Sequence, residues 1–175
     1  MNVKPTTHIA PAATHQGGFF LIEALIAILI FSLGVLGLVA MGGAAIAAQS
    51  DAQYRTEAAA LADEIASKIS LNVDRLNAAN AYPSTAASIA ATLAPYQHQP
   101  NGVNCAFNGD ASTDPTVQAW VTKVSAPGTG LPGATATSQQ IRIDTANFNR
   151  ITVTICWQAP QDRAMRQHTL VTYVN

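Results

Sequence analysis

The sequence predicts an α+β fold, a very long N-terminal helix packed on a small antiparallel sheet. Three observations carry this expectation. Residues 19–48 form a thirty-residue apolar stretch whose only ionisable side chain is Glu23. Beyond it, apolar residues recur every three or four positions at Tyr54, Ala58, Leu61, Ile65, Ile69 and Val73, the spacing of one buried helical stripe. Near the C-terminus, Ile151, Val153, Ile155 and Trp157 alternate with Thr152, Thr154, Cys156 and Gln158, the period of a half-buried strand.

Residues 1–18 come first, and they hold no apolar run able to enter a core. A general secretory signal places its small-residue cleavage site after the apolar stretch. Here the pair Gly17-Gly18 precedes it, so a cut there would leave the apolar segment on the mature chain. The segment therefore reads as a leader. The plainer alternative is a frayed terminus ahead of a membrane helix.

The apolar stretch, residues 19–48, exceeds the roughly 20 residues that cross a bilayer as an α-helix. Gly34, Gly37, Gly42 and Gly43 offer small spots where membrane helices approach closely. They also weaken the helix, so a bend or local melting is expected between Gly34 and Gly43. A water-soluble core helix would need burial on all sides, which the remaining roughly 125 residues can hardly supply.

Glu23 is costly inside lipid unless it is interfacial, protonated or partnered. If the chain is cut between Gly18 and Phe19, the new ammonium at Phe19 lies one helical turn from Glu23. Between chains packed side by side, the amine of one could pair with the carboxylate of its neighbour and set the axial register. The alternative is a Glu that merely meets headgroups.

No proline interrupts the chain between Phe19 and Tyr82, so one helix is expected from Phe19 to about Arg75. Its second half, within residues 49–80, is amphipathic. Asp51 with Arg55, and Glu64 with Lys68, are i,i+4 pairs of favourable polarity on its wet face. A lone anchor does not need such length.

Residues 81–175 are expected to form the globular head. Asn77 to Tyr82 should end the long helix. Pro83-Ser84 opens an Ala-rich helix that Pro95 stops, and Asn101-Gly102 and Asn108-Gly109 read as turns. Asp114-Pro115 looks like an N-cap followed by proline at the first helical position, leading into Val117, Trp120, Val121 and Val124 on one face. The Gly- and Pro-dense run 127–133 is a loop. Ile141 to Ile143 adds a third strand, and 159–166 joins the two longer strands, 151–158 and 168–174, as a hairpin. The apolar face of this sheet needs the long helix to cover it.

Cys105 and Cys156 are the only cysteines. In a head that lies beyond an anchor they suggest an oxidising compartment, and their single possible internal pairing would staple the middle loop region to the first long strand. Two unpaired buried thiols are the alternative.

The run Gly18-Phe19-Phe20-Leu21-Ile22-Glu23, followed by seven apolar residues, resembles the class III leader and N-terminal helix of type IV pilins and related pseudopilins. The resemblance implies a type IV pilin-like fold. It also implies that prepilin peptidase cuts after Gly18, that Phe19 becomes the N-methylated terminus, and that Glu23 is the assembly residue. Two departures stand out: Phe20 occupies a position where Thr is usual, and Gln16-Gly17 replaces the common basic residue. Cys105, the helix around Trp120, the Leu131-Pro132-Gly133 turn, the 151–157 strand and the final strand are similar to the minor pilins called type IV pilus modification proteins, the PilV family, as is Gly34-Val35-Leu36-Gly37-Leu38.

That resemblance implies a tip-associated minor pilin that helps initiate assembly and modulates adhesion or motility. The implied partners are prepilin peptidase, other minor pilins, the major pilin, the inner-membrane assembly machinery and the lipid bilayer. The implied location is the inner membrane, with the head in the periplasm, and later the pilus on the cell surface. A minor pseudopilin of a type II secretion system shares the same leader and helix, and a single-pass periplasmic adaptor would share only the anchor.

Nine Lys and Arg against ten Asp and Glu, a net charge of -1, give no basic cluster of the kind nucleic acid requires. The head holds Asp110, Asp114, Asp144, Asp162, His98 and His168, but no HExxH, GxSxG, phosphate-binding loop or Rossmann glycine pattern arranges them. Neither catalysis nor a cofactor or metal is therefore expected.

Overall fold

The structure, a computed structural model, describes residues 17–75 and 86–174. The expected end of the long helix within 77–82 and the start of the Ala-rich helix at Pro83-Ser84 lie outside the described residues. The chain divides into two units, Met1–Ala48 and Gln49–Asn175.

Helix α1 (Gly17–Asn72) is unbroken through Gly34 and Gly43, so the expected local melting is not found. Intrahelical hydrogen bonds withstand the four glycines. The helix ends three residues earlier than Arg75, yet Val73 beyond its end is still buried and completes the apolar stripe.

Within the second unit, the stripe Ala58, Leu61, Ala62, Ile65 and Ile69 joins the core. Three further helical or strand groups close over it. Helix α2 (Ala86–Leu93) contributes Ile89 and Leu93, then gives way at Pro95 to one 3-10 turn, Ala94–Tyr96. Helix α3 (Pro115–Val124) buries Val117, Trp120, Val121 and Val124, the face anticipated. Its N-cap is Asp114, whose Oδ1 accepts from Thr116 N at 2.8 Å and Val117 N at 3.3 Å, satisfying two main-chain donors that have no intrahelical partner.

Two small sheets follow, both antiparallel. Strands β1 (Asn101–Val103) and β2 (Ala106–Asn108) form a two-stranded hairpin. Strands β3 (Gln139–Asp144), β4 (Arg150–Trp157) and β5 (Arg166–Tyr173) form a meander in sequential order, with β4 in the centre. Ile151, Val153, Ile155 and Trp157 face the helical stripe and are fully buried.

Two local expectations need correction. Asn101-Gly102 and the Asn of Asn108-Gly109 are strand residues or follow one, and the turn between β1 and β2 is Asn104-Cys105, both left-handed at φ 54° and 66°. That pairing of positive φ values is what a two-residue hairpin turn demands. Gly102 has its own positive φ of 89°, and a Cβ there would run into the Ala106 carbonyl, so both the backbone and the space require glycine. The second correction concerns β4, which is half-buried only at its start. Thr154 and Cys156 on its other face are buried too. The 98–109 segment covers them: Gln140 Nε2 donates to the Gln99 and Asn101 carbonyls at 2.9 and 3.3 Å, and Cys105 is bonded to Cys156.

His98 pins the same segment. Its main chain bridges to Ile141, Nδ1 accepts from Ser112 N at 3.2 Å, and Nε2 donates to the Ala136 carbonyl at 3.1 Å. With both ring nitrogens so used, the buried imidazole is a structural post.

Candidate functional site

Gly18 and Phe19 lie in the first turn of α1, which opens at Gly17 and carries no acidic residue. The amides of a first turn have no partner within their helix, so the Gly18–Phe19 peptide bond sits where the helix resists opening least. Glu23 follows one turn after Phe19, about 6 Å along the axis, and is exposed. It is the first carboxylate that the positive end of the helix dipole meets. The backbone thus brings Phe19 and Glu23 to one face. The Phe19 side chain lies outside the described residues.

From 25 to 49 every side chain is exposed. Phe20 is 74% exposed, Phe31 73% and Ile46 70%. A Cβ at Gly34, Gly37, Gly42 or Gly43 would meet nothing within 4 Å among the described residues. Ser32 satisfies its hydroxyl within the helix, donating to the Ile28 carbonyl at 2.7 Å. Among the described residues this is one helix long and apolar enough to cross a membrane. So large an apolar surface is stable only against lipid or other apolar chains.

The head is closed by covalent and ionic ties. Cys105 and Cys156 form a disulfide across 5.8 Å between Cα atoms, fixing the hairpin tip to the central strand. The wet face of α1 does more than the sequence suggested. The Asp51–Arg55 and Glu64–Lys68 pairs form at 3.0 and 2.7 Å, but Glu64 also binds Lys123 of α3 at 2.6 Å, and Asp51 binds Arg166 of β5 at 3.0 Å. Hydrogen bonds from Lys123 first, and Lys68 second, hold the Glu64 carboxyl below its ordinary range. Arg166 grips Asp162 through two nitrogens, each at 2.8 Å, and lowers its carboxyl in the same way.

The other polar residues of the head are dispersed. Asp114 caps α3, Asp144 is held by Asn147 at 2.6 Å and Arg150 at 3.0 Å, Asp110 is exposed, and His168 is half-buried on β5. Among the described residues no three His, Cys, Asp or Glu side chains converge to hold a metal ion.

A groove of about 510 Å³ runs between α1 and β5, lined by Asp63, Ser67 and Leu71 on the helix and Leu170, Val171 and Thr172 on the strand. Sequence reading did not single these residues out. The helical spacing of 63, 67 and 71 was legible, but which strand would end the sheet was not. No protein family, curated protein or solved structure matches this chain.

Proposed function

We propose that this chain is a minor pilin of a type IV pilus, of the kind grouped as type IV pilus modification proteins in the PilV family. It acts at or near the filament tip, where it helps initiate assembly and modulates adhesion or motility. Its role is one of assembly, not catalysis.

The precursor sits in the inner membrane with Met1 to Gly18 on the cytoplasmic side, Lys4 supplying a weak positive-inside signal, and the head in the periplasm. Prepilin peptidase cleaves after Gly18 and methylates Phe19. The subunit then moves sideways from lipid into the growing bundle. There its apolar helix exchanges lipid for the helices of the major pilin and other minor pilins, recruited by the inner-membrane assembly machinery. Because the apolar surface never crosses water, its transfer avoids the large cost of hydration. Glu23 neutralises the terminal ammonium of a neighbouring subunit and sets its height in the bundle.

One observation carries this reading: a small-residue pair stands immediately before an exposed apolar helix whose sole early charge is Glu23. N-terminal mass spectrometry of the membrane-extracted chain tests it. The expected product begins at methylated Phe19. Intact leader on assembled, functional molecules overturns it.

A further inference from the structure

Three consecutive residues of β5, Leu170, Val171 and Thr172, line one groove. Side chains of a strand alternate between its two faces, so consecutive residues share a groove only where it runs along the strand's edge. Among the described residues β5 pairs with β4 alone, over all eight of its positions. Its outer edge therefore offers the N–H and C=O groups of alternate residues to whatever enters.

The opposite wall is a single helical face. Asp63, Ala66, Ser67, Ser70 and Leu71 follow the i, i+3, i+4, i+7, i+8 spacing. From Asp63 to Leu71 the helix rises about 12 Å, the length of about four extended residues. Leu71 is 82% exposed, and Leu170 is only partly buried. Asp63 is exposed and, unlike Asp51 and Glu64, makes no ion pair among the described residues.

The geometry points to a strand-addition site: an extended segment of another protein chain pairs with the β5 edge, sets an apolar side chain against Leu71 and Leu170, and brings a cation to Asp63. Main-chain hydrogen bonds supply the attachment, and the carboxylate selects the sequence. This site stands whether or not the leader is cleaved.

The test uses the full chain in detergent micelles and capped peptides of alternating Val and Thr, matching β5 in length, with Lys, Gln or Glu at one position. The Lys peptide should bind about fivefold tighter than the Glu peptide, the range of an exposed ion pair. Alternate β5 amides should then gain protection from hydrogen exchange. N-methylation of the peptide backbone should abolish both effects. Asp63→Asn should erase the preference for Lys while leaving binding, and Glu57→Gln, on the same helix but outside the groove lining, should leave the preference intact. Four results overturn the site: no binding, equal binding of the N-methylated peptide, β5 edge amides already protected before peptide is added, or dimerisation of the chain alone through β5.

Discussion

The indole N–H of Trp120 donates to the main-chain carbonyl of Leu61 at 2.9 Å, tying α3 to α1 through the middle of the core. A carbonyl has two acceptor sites, so Leu61 can serve its own helix and this bond together. Trp157, equally buried, has no acceptor for its Nε1 among the described residues. The two tryptophans therefore make a matched pair. Trp120→Phe and Trp157→Phe lose similar volume, but only the first loses a hydrogen bond. Chemical denaturation of the detergent-solubilised chain should show Trp120→Phe to be the more damaging by about 1 kcal/mol. Equal losses would mean the bond contributes nothing net.

The disulfide closes a loop with a sequence separation of 51. Chain-entropy reasoning assigns it about 4 kcal/mol. Cys105→Ala, Cys156→Ala and the double variant should all lose a comparable amount in denaturant unfolding, because each breaks the same covalent link. A loss in Cys156→Ala far exceeding that in Cys105→Ala would point to packing at Cys156 instead.

Glu64 predicts a pH effect with a definite sign. Its carboxyl is lowered in the folded state, so as pH falls below the ordinary carboxylate range, near 4, the unfolded chain takes up the proton first. The stabilisation is complete above that range and is lost as pH falls through the lower folded value. Glu64→Gln should flatten the acid limb of stability against pH, and Lys123→Met should flatten it more than Lys68→Met. Acid unfolding followed by circular dichroism measures this.

Glu23→Ala should leave membrane insertion and removal of the leader unchanged while sharply reducing recovery in sheared filaments. Quantitative immunoblotting of membrane and filament fractions checks it. Normal recovery would remove Glu23 from the register role.

Much of the head was legible because its signals are local. Asp114-Pro115 announces a cap and a first turn within two residues, and the 151–157 alternation announces β4. The stripe from Tyr54 to Val73 names the helix face that enters the core. What escaped depends on partners distant in sequence. The turn at Asn104-Cys105 carries no glycine, and its left-handed backbone is held by a bond to β4 that no local pattern encodes. The burial of Thr154 follows from the hairpin laid over it, and the second partners of Asp51 and Glu64 come from β5 and α3. In the N-terminal segment, composition alone marked the apolar helix, and the side chains from 25 to 49 are exposed. The same reasoning overestimated its glycines, whose cost is small beside the cooperativity of so long a helix.

The core unites a stripe on the first helix with β4, one of the last elements in the chain. A ribosome halted before Arg150 would thus yield a product whose Ala58-to-Val73 face, though met by α2 and α3, still lacked the central strand that completes its cover. Such fragments advertise their own incompleteness, as an uncovered greasy seam that quality-control proteases can grasp, whereas a finished chain conceals it.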